Sequence, residues 1–321
     1  MELPIELKIA IDNRTAGIKQ KQLLAASQDL SDRYRNESGQ GKRLLTTDIE
    51  AVAYSLVRMP ATYGAVYTAI EYANRLLENE DIGSTLIDVG AGTGAGTWAA
   101  CEQLQIKHIT CLEKENAMIK LGQQYMNESS NEVLRNAQWK SFDLLSGNIV
   151  KKADIVLASY VLNELRDDDR LACVKKLWNA TNKMLVLVEP GTPVGYNQLR
   201  LARTELIKYG AHVLAPCPHE NQCPIEGDDW CHFTVRVSRT KLHRLLKQAQ
   251  APYEDEKFSY LIVTRDEFSR AKNRVLRHPI IEPGKISLQI CDERGKNTYV
   301  YRKKDGQVFK KARKIKCGEE L

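Results

Sequence analysis

Four short apolar runs alternate with amphipathic segments in the middle of the chain. They are residues 85–89, 108–112, 154–158 and 184–188. Strands of a parallel sheet have this character because crossover helices cover both of their faces. A helix is expected over 197–209, closed by Gly210, and a further strand over 257–265, where apolar side chains alternate. The pattern therefore predicts an α/β fold with a doubly wound sheet.

The residues before this sheet have a helical pattern, and we predict an N-terminal helical unit over residues 1–82. Helix-forming residues dominate 16–35. Thr47 and Glu50 have the spacing of a capping box at the start of the next helix. Proline lacks a backbone N–H, so Pro60 is expected to interrupt that helix before a second amphipathic segment follows.

Composition excludes several classes of protein. With 321 residues, 43% hydrophobic and 27% charged, the chain can bury a large core and is not a disordered or low-complexity scaffold. Its longest strongly apolar stretch, 184–188, is too short to cross a membrane, and the first residues lack the pattern of a leader. We therefore expect a cytoplasmic protein that has no membrane partner; the sequence gives no oligomeric state.

Positive charge is concentrated at the C-terminal end. Residues 270–321 contain 15 Lys and Arg against 6 Asp and Glu, a net charge of +9, whereas the whole chain carries +6. A basic module on a near-neutral body suggests a polyanionic partner such as nucleic acid, because phosphate contacts release counterions. A solvated surface is the alternative.

A glycine-rich loop follows the first predicted strand and opens a helix, in the sequence Asp88-Val89-Gly90-Ala91-Gly92-Thr93-Gly94-Ala95-Gly96. Glycines permit a tight turn and let backbone N–H groups approach a ligand. Glu113 ends the next strand, where its carboxylate can accept hydrogen bonds from ribose hydroxyls. The context predicts a nucleoside-containing cofactor.

The acid that opens the loop indicates which cofactor. Asp88 disfavours a pyrophosphate and favours a cationic ligand, and S-adenosylmethionine carries a sulfonium and an ammonium group but no phosphate. The loop resembles motif I of class I methyltransferases. That resemblance implies that Asp88, Gly90, Gly92 and Gly94 line the methionine end, that Glu113 holds the ribose, and that Asp143 lies near the adenine. An ordinary turn aspartate is the alternative for Asp143.

Eight cysteines in a chain without a secretory pattern favour metal ligation over a disulfide framework. Cys217, Cys223 and Cys231 lie within fifteen positions, two of them beside proline, and can converge on one ion or cluster. Zinc is reasonable because His219 and His232 are close in sequence, and an iron–sulfur cluster is the other candidate. The remaining cysteines at 101, 111 and 173 lie in apolar segments and are expected in the core.

Nearly the whole chain resembles a family, the methyltransferase-like assembly factors of the small ribosomal subunit, known in mitochondria and with bacterial relatives. The match is carried by the glycine loop, the cysteine block and the segments 58–63, 189–193 and 253–260. The resemblance implies that Cys291 joins Cys217, Cys223 and Cys231 in holding a 4Fe-4S cluster. Cys317 is then a spare thiol.

The expected organisation is a class I methyltransferase (Rossmann-like) domain over 83–268 with a cysteine-rich, metal-binding insertion at 215–233. A small, basic, β-rich module follows over 269–321. The segment after the cysteine block is predicted to be an amphipathic helix whose basic face meets RNA, together with lysines of the module. The candidate RNA-binding residues are Arg236, Arg239, Lys241, Arg244, Lys247, Lys303, Lys304, Lys310 and Lys311.

Two functions remain open. The first is an S-adenosylmethionine-dependent RNA methyltransferase, and the second is a noncatalytic assembly or translation factor that binds small-subunit RNA. After the 154–158 strand the chain has Ser159-Tyr160-Val161-Leu162-Asn163, which is not a base-methylating signature. No catalytic residue is assigned. The cysteine spacing also differs from that of radical enzymes.

Overall fold

The central sheet is built from strands on both sides of the glycine loop. A computed structural model describes residues 1–37, 45, 47–77 and 80–321. The strands of this sheet are β1 (Thr85–Val89), β2 (His108–Glu113), β3 (Gln138–Ser141), β4 (Ala153–Ser159), β5 (Thr181–Pro190), β6 (His212–Ala215), β7 (Phe233–Ser238) and β8 (Tyr253–Thr264). The four strands predicted from apolar runs are β1, β2, β4 and β5, and the strand expected at 257–265 is the second half of β8.

The order of the strands defines the fold. They run β3-β2-β1-β4-β5-β8-β6, with β7 beside the first half of β8. Strands β1 to β5 pair in parallel, whereas β8 is antiparallel to both β5 and β6. This order, with its reversed strand next to the edge, is the arrangement of class I methyltransferases. The predicted methyltransferase-like α/β fold is confirmed.

Helices cover both faces of the sheet. The α-helices of the described residues are α1 (Ile5–Thr15), α2 (Gln20–Glu37), α3 (Asp48–Leu77), α4 (Ala95–Gln103), α5 (Asn116–Asn127), α6 (Glu132–Arg135), α7 (Asp167–Asn179), α8 (Pro193–Lys208), α9 (Lys241–Leu246) and α10 (Gln307–Lys314), of which α10 packs on the second sheet. Met184 and Val186 of β5 pack into a core shared with α1 to α5, while Leu185 and Leu187 pack into one shared with α7 and α8. Alternate side chains of a strand point to opposite faces, so one strand contributes to two cores.

The N-terminal helices differ from the prediction. Residues 16–35, which are rich in helix formers, contain a turn at Gly17 and most of the helix α2. A separate helix, α1, precedes them. The capping box is present, since Thr47 and Glu50 each donate a backbone N–H to the other's side chain. The expected interruption at Pro60 is wrong: α3 continues through it for 30 residues. Extensive burial along α3 outweighs the single hydrogen bond that proline removes.

A second sheet forms the C-terminal module. Its strands are β9 (Asn273–Val275), β10 (Ile280–Glu282), β11 (Lys285–Asp292) and β12 (Gly295–Arg302), in the order β10-β11-β12 with β9 also pairing β11. Ile286, Leu288 and Ile290 of β11 pack against Ala312 and Ile315 around α10. The module therefore has its own small core. No helix in the described part of the chain is long and apolar enough to span a membrane.

Candidate functional site

The glycine loop, the end of β2 and the turn after β4 meet at one edge of the sheet. This is the carboxyl edge of the parallel strands, where open α/β sheets bind ligands. A cavity at this edge, the loop cavity, is lined by Gly90, Gly92, Glu113, Phe142, Asp143, Leu144, Tyr160 and Glu164, among others. Four predicted residues, Gly90, Gly92, Glu113 and Asp143, therefore lie together.

Two glycines shape the floor of the loop cavity. Gly90 has φ +69° and donates its N–H to the Leu112 carbonyl at 2.8 Å, which ties the loop to β2. Gly92 has φ +57°, and a β-carbon built there would meet no atom within 4 Å. A side chain at Gly92 would therefore occupy open space beside the cavity, which is the place a ligand needs.

Glu113 fastens the loop from the side of β2. One carboxylate oxygen accepts the Gly92 N–H at 2.8 Å, and the other accepts the N–H groups of Lys114 and Glu115 at 2.7 and 2.8 Å. Burial raises the pKa of Glu113, although these three N–H groups favour the charged form. The carboxylate is thus held rigidly, with lone pairs left for a ligand.

Asp88 and Gly94, also predicted to bind the cofactor, are not among the residues that line the loop cavity. Asp88 is fully buried in β1 and accepts a hydrogen bond from the Thr97 hydroxyl at 2.7 Å. Burial raises the pKa of Asp88 to about 7. Gly94 precedes α4 with φ +89°, and a β-carbon there would lie 2.5 Å from the Met126 methyl group. Both residues support the loop from behind.

Carboxyl groups outnumber cations in the described lining of the loop cavity, although burial raises the pKa of one of them, Glu164, to about 8. Among its described lining residues, four carry carboxylates and one is a lysine; they are Glu113, Glu115, Asp143, Glu164 and Lys114. Lys114 pairs with Asp143 at 3.1 Å. Burial would raise the pKa of Asp143, but the Leu145 N–H and the Lys114 ammonium bring it below its ordinary value. Such a cavity attracts a cation and repels a pyrophosphate.

A second, more open cavity adjoins the first. The two share Tyr34, Tyr54, Tyr160 and Glu164, and the outer cavity is also lined by Arg58, Asn163, Arg239 and Lys247. Tyr160 is buried, has φ +60° and donates its hydroxyl to Glu256 at 2.8 Å, while the Arg58 guanidinium lies 5.5 Å from the centre of its ring. A left-handed tyrosine is strained, and such strain is concentrated at functional sites.

The predicted cysteines converge elsewhere, between the body and the C-terminal module. Cys217, Cys223, Cys231 and Cys291 all line one apolar cavity, the cysteine cavity. The first three come from the loops between β6 and β7, and Cys291 comes from β11. Within the described ranges, no group of three or more His, Cys, Asp or Glu side chains is arranged to hold a single metal ion. The four thiols are therefore neighbours without forming a compact ion site.

The environment of these thiols is apolar and close to histidine. The Cys291 sulfur lies 3.7 Å from His219 Nε2, and the Tyr196 hydroxyl contacts the Cys223 sulfur at 3.2 Å. Burial and the neighbouring sulfurs raise the pKa of Cys291 to about 12, and burial raises that of Cys217, which Arg203 partly opposes. As free thiols, Cys217 and Cys291 are therefore neutral at physiological pH, and a bound metal would deprotonate them.

Cys317 lies outside the lining of the cysteine cavity. Its sulfur donates to the Leu276 carbonyl at 3.2 Å, and its own carbonyl accepts the Tyr72 hydroxyl at 3.3 Å. Burial raises its pKa to about 11. The residue was expected in a basic tail, but the chain turns back after α10 and packs it against the body.

The segment predicted as a basic helix has a different structure. Arg236 lies in β7, and the helix α9 contains only Lys241–Leu246, because Phe233, Val235 and Val237 alternate inward as in a strand. Arg236 forms two hydrogen bonds with Asp255, at 2.7 and 2.9 Å, and Arg239 and Lys247 both pair with Glu254 at 2.6 Å. The predicted single helix is therefore wrong, and much of its charge is neutralised.

The other candidate RNA-binding residues are more accessible. Lys241 is exposed, and Arg244 is partly buried with a hydrogen bond to the Gln250 carbonyl at 3.3 Å. The four predicted lysines of the C-terminal module, Lys303, Lys304, Lys310 and Lys311, are all exposed. Lys303 and Lys304 shortly precede α10, and Lys310 and Lys311 lie on it, so the four can contribute to one positive surface.

The sheet order and the glycine loop at its carboxyl edge define a class I methyltransferase-like protein. The chain also matches the family described as mitochondrial small ribosomal subunit Rsm22 over residues 48–321. Since the match covers most of the chain, the protein belongs to this family, and the resemblance seen in its sequence is confirmed.

Two relatives illustrate the family. The chain is 27% identical over 270 residues to the human mitochondrial ribosome assembly protein METTL17, covering 78% of this chain and 57% of that protein. It is 22% identical over 329 aligned positions to the mitochondrial Rsm22-cox11 tandem protein 2 of Schizosaccharomyces pombe, covering 85% and 43%. The chain thus spans about half the length of these relatives. The cytoplasmic location expected from the sequence stays a prediction.

Solved methyltransferases are similar to this chain at a distance. One is the magnesium protoporphyrin IX methyltransferase of Synechocystis, solved with bound S-adenosylmethionine, at 15% identity and a TM-score of 0.42 over 78% of this chain and 99% of that one.

Sequence reasoning had not singled out the outer cavity or two buried arginines of the cysteine cavity, Arg203 and Arg274. No local pattern distinguishes such residues from surface ones.

Proposed function

We propose that the chain binds S-adenosylmethionine in the loop cavity and acts on the small ribosomal subunit or its RNA. The negative charge of the cavity carries this proposal, because it suits the sulfonium and ammonium groups and opposes the pyrophosphate of a dinucleotide. Gly92 leaves room for the methionine end beside the turn at Gly90, which packs closely against Val161; Glu113 faces the ribose, and Asp143 lies beside Phe142 and Leu144 where an adenine fits. Asp88 and Gly94 hold the loop in place.

Bound S-adenosylmethionine would supply an activated methyl group. The residues of the chain would then do two things, position the donor and admit an acceptor. The outer cavity, which shares Tyr34, Tyr54 and Tyr160 with the loop cavity, supports the enzyme as the first candidate. Tyrosine rings can stack on a nucleobase, and methyl transfer to a group with a free lone pair needs mainly alignment.

A noncatalytic assembly factor is the second candidate. It is favoured by the human relative METTL17, which is a ribosome assembly protein. Methyl transfer to small-subunit RNA, measured with and without intact Gly92, separates the two candidates.

Calorimetric titration with S-adenosylmethionine tests the cofactor. Gly92→Val is expected to weaken binding at least about tenfold, or roughly 1.4 kcal/mol, by filling the space beside the cavity. Gly210→Val is a matched control, because Gly210 also has a positive φ and no atom within 4 Å of its built β-carbon but lies at the end of α8. Binding of NAD without S-adenosylmethionine would refute the cofactor assignment.

For the cysteine cavity we propose a 4Fe-4S cluster held by Cys217, Cys223, Cys231 and Cys291. Four thiols line one cavity, yet no group of them among the described residues is compact enough for one ion. A cluster fits this combination better than zinc, because each thiolate binds a different iron and the sulfurs stay farther apart. The cluster would link the body to the C-terminal module.

Anaerobic reconstitution tests the ligands. The wild-type protein is expected to be brown, with iron, sulfide and a broad visible absorption. Cys291→Ser is expected to lose most of the colour, whereas Cys317→Ser, at a half-buried thiol outside the cavity lining, is expected to keep it. Stoichiometric zinc without iron or sulfide would show that the site holds a single ion.

A further inference from the structure

Two arginines are buried beside the four cysteines. Arg203 lies on α8 and is 5% exposed, and Arg274 lies on β9 and is 4% exposed. Both line the cysteine cavity. Arg274 is also the register partner of Cys291 across the β9–β11 ladder. One cation therefore comes from the body and the other from the C-terminal module.

Neither guanidinium has an acidic partner in the described part of the chain. Arg203 Nη2 donates to the His219 carbonyl at 2.7 Å. Arg274 Nε and Nη1 donate to the carbonyls of Pro216 and Gly318 at 3.0 and 2.6 Å. These carbonyls satisfy some donors but carry no negative charge. Among the described residues no carboxylate therefore neutralises either group, and Arg274 has in addition only the ring of Tyr72, whose centre is 5.6 Å from its guanidinium.

Donors without acceptors surround the same cavity. Arg203 Nε, Arg274 Nη2 and the Tyr260 hydroxyl are buried and have no hydrogen-bond partner among the residues that the structure describes. All three residues line the cysteine cavity. A buried unsatisfied donor costs about 1–3 kcal/mol, and an unpaired buried charge costs more. The arrangement is explained if the cavity receives an anion rich in acceptors.

An iron–sulfur cluster with four thiolates is such an anion, because sulfide and thiolate charges exceed those of the iron ions. Its potential depends on nearby charge and on hydrogen bonds to its sulfurs. We propose that Arg203 and Arg274 are the counter-charges of the cluster and donate N–H groups to its sulfurs, which raises its reduction potential and stabilises it. This assignment rests on the cluster proposed above.

Redox titration of the reconstituted protein, followed by electron paramagnetic resonance, tests the two arginines as positioning and tuning residues. Arg203→Gln and Arg274→Gln keep polar groups but remove the charge, so each is expected to shift the midpoint potential to more negative values. Arg203→Lys and Arg274→Lys are expected to restore most of the shift. Arg313→Gln, at an exposed arginine on α10 that is outside the lining of the cysteine cavity, is the control and should leave the potential unchanged.

A measurement on the unaltered protein guards against variants that do not fold. With arginine labelled by ¹⁵N in the guanidinium group, the reduced cluster is expected to show nitrogen couplings in pulsed resonance spectra. Absence of these couplings, or equal potentials in the Gln variants and the wild type, would overturn the role of the arginines while leaving the cluster intact. A wild-type protein that takes up no iron and sulfide would overturn the cluster itself, and the arginine assignment with it.

Discussion

Asp88 shows how a residue chosen for one role from sequence serves another in the fold. It was assigned to the methionine end of the cofactor, but its carboxyl is fully buried behind the loop, bonded to Thr97. Its second carboxyl oxygen accepts no hydrogen bond from the residues that the structure describes. Burial raises its pKa from an ordinary 3.8 to about 7, so the folded protein retains a proton that the unfolded chain releases.

This gives a pH dependence with an unusual sign. Between about pH 4 and pH 7 the folded state binds the extra proton, so the contribution of Asp88 to stability falls as pH rises. Asp88→Asn removes this effect. The free energy of unfolding of the variant, relative to that of the wild type, is therefore expected to increase by up to about 1.4 kcal/mol for each pH unit across that range. Urea denaturation at several pH values measures it.

Asp143→Asn is the control for that series. The pKa of Asp143 is lowered in the folded state, so its contribution is lost as pH falls, in the opposite direction. A pH-independent difference between Asp88→Asn and the wild type would show that Asp88 does not carry the raised pKa.

At the scale of elements, α3 shows how packing overrides a local signal. Pro60 cannot donate to the Leu56 carbonyl, yet the helix runs from Asp48 to Leu77. Met59, Ala61 and the residues around them are buried against the sheet and neighbouring helices. Their burial offsets the roughly 3 kcal/mol that an interior proline costs.

Replacement of this proline is therefore expected to stabilise the protein. Pro60→Ala restores an N–H for the Leu56 carbonyl and should raise the free energy of unfolding by about 1–3 kcal/mol. Pro4→Ala is the control, because Pro4 precedes the first turn of α1, where no N–H is needed. Urea denaturation measures this change. A loss of stability in Pro60→Ala would mean that the packing around α3 requires proline at this position.

At the scale of the whole molecule, the candidate RNA-binding residues divide into an ion-paired group in the body and an exposed group in the C-terminal module. Arg236, Arg239 and Lys247 pair with carboxylates of β8, whereas the lysines around α10 are exposed. RNA affinity is therefore expected to reside mainly in the C-terminal module. The RNA-binding surface is thus expected to be smaller than the one predicted from the sequence, which also included the segment after the cysteine block.

Charge reversal tests that surface without disturbing any proposed ligand. Changing Lys303, Lys304, Lys310 and Lys311 to Glu is expected to weaken binding to small-subunit RNA and to reduce the slope of log affinity against log salt by roughly three. The same reversal at four exposed lysines of the body, Lys107, Lys140, Lys151 and Lys152, is the matched control. Equal losses in both variants would show that only total charge matters.

The sequence by itself determined the parallel strands and the loop between them. Buried strands produce short apolar runs, and a tight turn at a ligand requires glycine, so both signals are local. Gly90, Gly92, Glu113 and Asp143 could be grouped because the carboxyl ends of neighbouring parallel strands meet at one edge. The fourth cysteine came from the family resemblance alone.

Tertiary structure decided the rest, because burial and charge pairing depend on residues distant in sequence. Pro60 looks like a helix break until the packing around α3 is known, and Arg236 looks like a free cation until β8 places Asp255 beside it. Arg203 and Arg274 are 71 positions apart and resemble ordinary surface arginines. Only the docking of the C-terminal module onto the body buries both beside the four cysteines.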